Sequence, residues 1–481
     1  MGNSQRTASI HILDDDSLLH VFYLYRPFLS GEDQDDDARL NGGDGIETRG
    51  RWWCNLAHVC QRWRSIIFRS ASYLGISLVC TYGTPVADML AHSPPLPLIV
   101  HYATEGREIN TDDEQGIIFA LKQRHRVLRF RVRLTTPYTG LLEKFIAVMD
   151  EEYPILEYLI IGLGIEDVST ISIFPETLQA PHLRLLRLRG FAIPMGSRLL
   201  TTAVSLVTLY LVMVHPSTYF HPNTLVQWIS HMPQLETLTI FFKFPIPNHG
   251  VERQLTYTPI IAPVTLPNLR HFMFHGVSTY LGALLHRVAI PRLEKLQIDF
   301  FNQLGFSVPR LVQLMGAAEN LRFDNADVMF SENQVDATVY PHGKSEMYAF
   351  TILILCYHLD WQVSSAAQIS NSLDEIFSAV EHLNLAHSVH IRSSEEHNEV
   401  DRAEWRRLLR PFRNVKTLRI ESGLVEDLSH SLQLEGGELP LELLPELQEL
   451  TYFGSSVTGD GFISFIDARQ NAGRPVKLVR W

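Results

Sequence analysis

Residues 181–188 read Pro-His-Leu-Arg-Leu-Leu-Arg-Leu, and variations of the pattern Pro-x-Leu-x-x-Leu-x-Leu return along most of the chain. Clear copies begin at residues 154, 233, 267, 291 and 445, and a copy without the proline begins at residue 206. Degenerate copies cover residues 127–132, 321–323, 381–385 and 415–420. Because side chains alternate across a strand, the leucines point to one side, and each copy predicts one short strand.

The spacing between the copies indicates a structural repeat. Their first leucines lie at residues 156, 183, 206, 235, 269 and 293, which gives periods of 27, 23, 29, 34 and 24 residues. Periods of roughly 20–29 residues are typical of leucine-rich repeats, whose stacked coils bury leucines that one coil alone cannot bury. We therefore predict an irregular solenoid of parallel strands. Helical return segments are expected at residues 140–152, 222–231, 278–289, 308–318 and 370–381.

The predicted fold class is α/β, with a small helical unit followed by this irregular leucine-rich-repeat solenoid. The predicted divisions are a disordered start at 1–9, a helical domain at 10–72, connecting strands and helices at 73–126, and the solenoid at 127–481. Residues 31–50 are rich in aspartate and glycine and predict a mobile acidic loop. Residues 325–345 and 390–404 interrupt the repeat and are expected to form surface loops.

Two stretches near the N-terminus predict the helical domain. Residues 12–22 read Ile-Leu-Asp-Asp-Asp-Ser-Leu-Leu-His-Val-Phe and predict a short amphipathic helix. Asp14, Asp15 and Asp16 stand at its start, where carboxylates accept backbone amide hydrogens and favour the helix dipole. Residues 58–67 read His-Val-Cys-Gln-Arg-Trp-Arg-Ser-Ile-Ile, and an apolar stripe at spacings of three and four runs from Leu56 to Ile67.

The order of these residues resembles the F-box. Residues 60–65, Cys-Gln-Arg-Trp-Arg-Ser, are similar to F-box proteins of mushroom-forming (basidiomycete) fungi. The chain departs from the family at Asp14, where the family usually has proline, and in the acidic loop. The resemblance implies docking on the Skp adaptor, and through it on the cullin, of an SCF-type ubiquitin ligase. The docking residues that it implies are Leu13, Leu18, Leu19, Phe22, Val59, Cys60, Trp63 and Ile66.

The composition argues against several classes of partner. A formal net charge of −12 disfavours a general nucleic-acid binder, which needs a strongly basic face. The four cysteines have no metal-ligand or redox spacing, so we expect reduced thiols, no metal, and a cytoplasmic or nuclear protein. The N-terminus lacks the layout of a signal peptide. The longest apolar run, residues 347–359, is too short and polar for a membrane span, so no membrane partner is expected.

Catalytic motifs do not stand out, so we expect neither enzymatic activity nor a cofactor. The chain has no Gly-rich phosphate loop, no Gly-x-Ser-x-Gly and no His-Glu-x-x-His. Residues 395–399, Glu-Glu-His-Asn-Glu, lie in a polar stretch without helical spacing. Asp299, Asp324 and Asp327 could be paired carboxylates, but a repeat array brings exposed acids together by coincidence, and we favour that interpretation.

The side chains between the leucines point to the opposite side of each strand, where a client protein could bind. The expected client-binding residues are Arg129, Arg131, Arg187, Arg189, Thr237, Thr239, His271, Gln297 and Asp299. The arginines could form a positive patch for an acidic or phosphorylated segment, since guanidinium groups suit carboxylates and phosphates. Alternatively, they pair with carboxylates of the same chain.

Together these features predict the substrate-recognition subunit of an SCF-type cullin-RING ubiquitin ligase. The F-box-like helices would bind the Skp adaptor, and the repeats would bind the client protein. The alternative is a non-catalytic leucine-rich-repeat interaction scaffold without a ligase role, in which the first helices cap the stack.

Overall fold

The computed structural model describes residues 13–26, 51–103, 106–134, 139–163, 172–214, 219–243, 263–301, 303, 305–306, 308–317, 323–341, 350–387, 400–434, 439, 441–453 and 459–480. The predicted disordered start and the predicted acidic loop lie outside these residues. The chain divides into two compact units, Met1–Leu206 and Val207–Trp481. The predicted boundaries after residues 72 and 126 therefore fall inside the first unit.

The described part of the first unit contains both helices and strands. The helices are α1 (Asp15–Tyr25), α2 (Trp52–Ala57), α3 (Gln61–Arg69), α4 (Ala71–Leu74), α5 (Val86–His92), α6 (Thr111–Leu121), α7 (Thr139–Met149) and α8 (Arg198–Thr202). The strands are β1 (Leu78–Cys80), β2 (Leu98–Tyr102), β3 (Val127–Leu134), β4 (Tyr158–Leu163), β5 (Ser172–Ile173), β6 (Leu185–Arg189) and β7 (Phe191–Ala192).

The second unit has the same mixture of elements. Its helices are α9 (Pro222–Ile229), α10 (Ser278–Leu285), α11 (Pro309–Ala317), α12 (Leu359–Ser372), α13 (Asp374–Phe377), α14 (Arg402–Leu409), α15 (Val425–Leu432) and α16 (Ile463–Asn471). Its strands are β8 (Thr208–Val214), β9 (Thr237–Phe242), β10 (Val264–Thr265), β11 (His271–Gly276), β12 (Val288–Ala289), β13 (Lys295–Phe300), β14 (Asn325–Phe330), β15 (Gln334–Tyr340), β16 (Phe350–Leu355), β17 (His382–His387), β18 (Thr417–Ile420), β19 (Glu449–Tyr452) and β20 (Lys477–Arg480).

A parallel sheet runs through the first unit in the order β1-β2-β3-β4-β6. One face is apolar, and the aligned side chains Val100, Phe130, Leu159 and Leu186 are all buried there. The other face, which we call the open face of the first unit, carries polar and partly exposed side chains. The alternation that the sequence predicted is therefore present in this sheet.

The sheet of the second unit is mostly parallel, in the order β8-β9-β11-β13-β16-β15-β14-β17-β18-β19-β20. Its apolar face is buried along the row of Leu238, Phe272 and Leu296. The face opposite this row is called the open face of the second unit. β14 and β15 form an antiparallel hairpin, and β15 also pairs antiparallel with β16.

This hairpin corrects the prediction of a surface loop at residues 325–345. The segment forms two strands because apolar residues alternate through it, and Ala326, Val328, Phe330, Val335 and Val339 are buried. The predicted loop at 390–404 is wrong at its end, where α14 begins at Arg402. Asp401 caps that helix by accepting a hydrogen bond from the backbone of Ala403 at 2.9 Å.

A four-residue turn with one backbone hydrogen bond precedes many of the strands, and it explains the proline in the repeat pattern. The first leucine donates its backbone N–H to the carbonyl three residues earlier, as in Leu183 to Ala180 at 3.1 Å and Leu235 to Met232 at 3.1 Å. The proline occupies the second position of such a turn, where its fixed φ is favoured. The first leucines at 156, 183, 206, 235, 269 and 293 are all buried.

Helices occupy the predicted return segments. α9, α10 and α11 lie in the expected ranges, and α7 begins one residue early, at Thr139. The end of the range 278–289 is strand β12 rather than helix. α12 and α13 cover most of the last range, and α12 begins earlier than expected, at Leu359. The chain is therefore a mixed α/β protein whose strands are mostly parallel, as the sequence predicted at the level of fold class.

The buried Arg469 ties the last helix, α16, to the turn before β19. Its guanidinium donates hydrogen bonds to the carbonyls of Leu444 at 3.0 Å, Pro445 at 3.0 Å and Leu447 at 3.2 Å. The side chain is fully buried, and this burial lowers the pKa of the guanidinium. Removing the arginine would take this donor from the carbonyls of Pro445 and Leu447, whereas the carbonyl of Leu444 would keep the backbone N–H of Leu447 at 3.0 Å.

We expect Arg469→Met to lower the free energy of unfolding by about 3 kcal/mol, because buried carbonyls are left without donors. Urea unfolding measures the effect. Arg474→Met is the matched control, since Arg474 is exposed and its contact with Glu446 at 3.4 Å contributes less than about 1 kcal/mol. Equal losses in the two variants would contradict this role of Arg469.

Candidate functional site

The first helix begins as the sequence predicted. Asp14 is its N-cap, and its Oδ1 accepts a hydrogen bond from the backbone N–H of Ser17 at 2.7 Å. This hydrogen bond is the main cause that lowers the pKa of the Asp14 carboxyl. Asp14 therefore has a structural use, because it satisfies an amide at the helix start.

Helix α1 packs against α3 through aromatic rings. Phe22 is buried, and its ring meets that of Trp63 edge to face, with centroids 4.9 Å apart. Arg62 on α3 joins the two helices at their edge by donating to Asp15 Oδ1 at 2.9 Å and to the carbonyl of Leu13 at 2.6 Å. These contacts fix the orientation of α1 relative to α3.

The apolar stripe predicted from Leu56 to Ile67 does not form one helix. The chain breaks at residues 58–60, where Cys60 becomes the N-cap of α3 and its Sγ accepts the backbone N–H of Trp63 at 3.5 Å. The break turns Val59 away from the stripe, and its side chain is 58% exposed.

The predicted adaptor-binding residues separate by burial. Leu18, Phe22 and Ile66 belong to the core, whereas Leu19, Cys60 and Trp63 are partly exposed. Leu13 and Val59 are exposed. Further exposed apolar side chains on α1, which the sequence prediction did not include, are Val21, Tyr23, Leu24 and Tyr25. The sequence could have revealed them, because residues 18–25 contain more apolar side chains than one face of a short helix can bury.

The four predicted arginines of the first unit share its open face. Arg131 aligns with Arg187 through Ile160, and Arg133 aligns with Arg189 through Gly162. The guanidinium carbon of Arg129 lies 4.1 Å from the centre of the Tyr158 ring, within the range of a cation–π contact. Burial, and secondarily the charge of Arg131, lowers the pKa of His101 to about 4, so His101 is neutral at physiological pH.

The five predicted client-binding residues of the second unit also share one open face. Thr237 aligns with His271. Thr239 aligns with Gln297 through Met273, and Asp299 aligns with His275. Thr239 and Asp299 are buried rather than exposed, in contrast to the prediction of outward-facing surface residues.

An acidic cluster, formed by Asp299, Asp327 and Asp336, lies on the open face of the second unit. Asp299 on β13 and Asp336 on β15 both align with Leu353 on the strand between them, β16. Asp327 on β14 aligns with Thr338, which lies two residues after Asp336 on β15. Burial, and secondarily the charges of Asp299 and Asp327, raises the pKa of Asp336. Asp299 and Asp327 both belong to this cluster, and Asp299 is buried rather than exposed, whereas Asp324 precedes β14 and is not part of the cluster. The interpretation that the acids come together by coincidence stays a prediction.

Asp336 was missed because its segment was predicted to be a loop. Residues 334–340 read Gln-Val-Asp-Ala-Thr-Val-Tyr, and their alternation of apolar and polar residues indicates a strand. Val335 and Val339 are the buried residues of this alternation. His275 belongs beside this cluster, since its Nδ1 lies 3.5 Å from Asp299 Oδ2.

We expect Phe22→Ala to lower the local stability of α1 by about 3–5 kcal/mol, because it removes a buried ring and its contact with Trp63. Hydrogen exchange of residues 15–25 measures this effect as faster exchange. Leu24→Ala is the matched control on the same helix, since Leu24 is 68% exposed, and its effect should stay within about 0.5 kcal/mol. Unchanged exchange in Phe22→Ala would show that α1 does not depend on this contact.

Two searches of the structure and a comparison with known proteins complete the description of the sites. Within the described ranges, no group of three or more His, Cys, Asp or Glu side chains is placed to hold a metal ion. None of the helices in that part of the chain is both long and apolar enough to cross a lipid bilayer. Comparison of the chain with models of known protein families and with curated proteins gave no match.

Proposed function

We propose that the chain is a substrate receptor of an SCF-type ubiquitin ligase, in which α1–α3 bind the Skp adaptor and the strand-bearing remainder binds a client protein. The observation that carries the proposal is the apolar surface of the helical segment. Leu13, Val21, Leu24 and Val59 are exposed there while Leu18 and Phe22 of the same segment are buried. Several exposed apolar side chains within one short helical segment favour a protein-binding role for that segment.

The helical segment combines a rigid base with this exposed surface. The contact between Phe22 and Trp63 and the bond from Arg62 to Asp15 hold α1 against α3. Trp63 is partly exposed, and aromatic side chains at such positions dominate the energy of many interfaces. The segment can therefore offer a partner an already ordered surface, which lowers the entropy cost of binding.

The client-binding part of the proposal rests on the repeated arrangement of turn, strand and helix. We interpret this arrangement as an irregular leucine-rich-repeat solenoid, supported by the recurring turn and the buried first leucines. In each unit, the polar open face lies opposite the leucine side and offers a surface for recognition. Catalysis would belong to a ubiquitin-conjugating enzyme in the assembly, and this chain would contribute proximity and orientation.

The adaptor-binding proposal is tested with the purified full chain and purified Skp adaptor. We expect Val59→Glu to weaken adaptor binding at least tenfold, because it places a charge in an apolar interface without disturbing the core. Binding is measured by calorimetry. Phe119→Glu on α6 is the matched control, since Phe119 is 41% exposed in the same unit but lies outside the helical segment, and it should bind as the wild type does.

Two outcomes would contradict the ligase role. One is the absence of adaptor binding by a folded wild-type chain, and the other is equal weakening by Val59→Glu and Phe119→Glu. Val59→Glu is preferred to Trp63→Ala here, because the packing of Trp63 on Phe22 would mix loss of structure with loss of binding.

The second candidate is an interaction scaffold without a ligase role. It is favoured by the attachment of α2 to the rest of the first unit. Trp53 is buried, its Nε1–H donates to the carbonyl of Ser77 at 3.2 Å, and its ring contacts that of Phe68. A helical segment fixed in this way can act as a cap. The adaptor-binding measurement distinguishes the two functions.

The arginines of the first unit give a separate prediction about the client. We expect Arg129→Glu, Arg131→Glu and Arg187→Glu together to change the set of proteins captured from a lysate, because acidic segments lose their guanidinium partners. Mass spectrometry of the captured proteins is the measurement. A triple variant with glutamate at Arg107, Arg184 and Arg198, which are exposed in the same unit, carries the same charge change and is the control. An unchanged set in the first variant would contradict this role.

A further inference from the structure

The acidic cluster of the second unit holds more negative charge than its surroundings balance. Among the described residues, no lysine or arginine forms an ion pair with Asp299, Asp327 or Asp336. Asp299 accepts one hydrogen bond from Gln297 at 3.3 Å, and Asp336 accepts one from Thr338 at 3.0 Å. An ionised carboxylate can accept about four, so acceptor positions remain in the cluster.

Burial makes this arrangement costly for the protein alone. Asp299 is 8% exposed and Asp336 is half-buried, and burying a carboxylate without a counter-charge is unfavourable. The three carboxylates also repel one another, since Asp327 and Asp336 lie on the paired strands β14 and β15 and only β16 separates Asp336 from Asp299. A cation bound among them would relieve both costs at once.

A buried histidine beside the cluster gives an independent indication of a ligand. His275 is 6% exposed, and its Nδ1 has no hydrogen-bond partner although it lies 3.5 Å from Asp299 Oδ2. The ring is held in place by Phe241, which stacks on it with centroids 3.7 Å apart, and by Phe301, which meets it edge to face at 4.6 Å. The two rings therefore keep this nitrogen directed at Asp299 and the acidic cluster.

The spacing of the carboxylates decides which cation fits. One strand, β16, separates Asp299 from Asp336, so their Cα atoms lie about 10 Å apart at the usual spacing between strands. A metal ion needs its ligands within about 2.0–2.6 Å, which this spread of carboxylates does not favour. A guanidinium group carries five donors in one plane and can bridge separated acceptors. The uncharged Leu353 between the two acids offers a surface for its flat face.

We propose that the acidic cluster and His275 form a binding site for an arginine side chain of a partner protein. The carboxylates of Asp299 and Asp336 accept hydrogen bonds from the guanidinium, and Asp327 adds negative charge from the adjoining strand. The inference rests on the proposed function only in identifying this partner as the client of a substrate receptor.

The test uses the purified full chain and a fluorescent peptide of alternating glycine and arginine. Fluorescence anisotropy should show binding at least tenfold tighter than for the matching glycine–lysine peptide, and none for a glycine–glutamate peptide. The double variant D299N/D336N should lose at least tenfold in affinity for the arginine peptide, while its melting temperature shows that it is folded. Asparagine keeps the shape and the acceptor oxygen of each side chain.

The matched control is D112N/D467N, which removes the same charge from exposed positions on α6 and α16. It should bind the arginine peptide as the wild type does. Equal losses in the two double variants would reduce the effect to net charge and overturn the proposal. Displacement of the peptide by millimolar CaCl2 at constant ionic strength would assign the site to a metal ion and overturn it as well.

Adaptor binding by the same variants separates the two proposals. D299N/D336N should still bind the Skp adaptor, because the substitutions lie far along the chain from α1–α3. A wild-type chain that binds the arginine peptide but not the adaptor would refute the ligase role and leave the arginine site in place. The opposite result would refute the arginine site alone.

Discussion

The structure depends on burying the leucine side of each strand, which a single strand cannot do. The turn that ends at Leu183 or Leu235 places the first leucine under the sheet and passes the chain into the strand. The next strand pairs with it in register, so buried apolar residues such as Phe130, Leu159 and Leu186 align with one another and the residues between them line the open face. A single requirement therefore produces both the apolar core and the open faces, where recognition can evolve without disturbing that core.

The parts of the fold that follow from local patterns could be predicted from the sequence. The strands that carry the leucine pattern and the helices between them are examples, because each depends on the spacing of apolar residues within one segment. The hairpin of β14 and β15 was not predicted, because its alternating apolar residues include no leucine and therefore do not match the leucine pattern of the repeat. The break before α3 was missed for a different reason: Cys60 is an unusual N-cap, so the stripe seemed continuous.

The two surfaces differ in how far the sequence could reveal them. The apolar residues around Phe22 and Trp63 were found by resemblance and spacing, yet the sequence did not separate the core residues from exposed ones such as Val59. The acidic cluster arises from strands distant in sequence, and its members come together only through the register of β13, β16, β15 and β14. Pairing between distant strands is a tertiary property that no single segment encodes.

The hairpin also bears on the order in which the second unit folds. Parallel neighbours such as β11 and β13 must wait for a helical connection to close, whereas β14 and β15 are joined by only residues 331–333. Chain-entropy arguments favour short closures, so this is the pairing that forms at lowest entropic cost. Gln362 on α12 then bonds to the carbonyl of Ser331 in the loop at 2.7 Å and to that of Cys356 at 2.9 Å. The interruption of the repeat thus contains a strand pairing of low sequence separation, which α12 joins to the rest of the unit through Gln362.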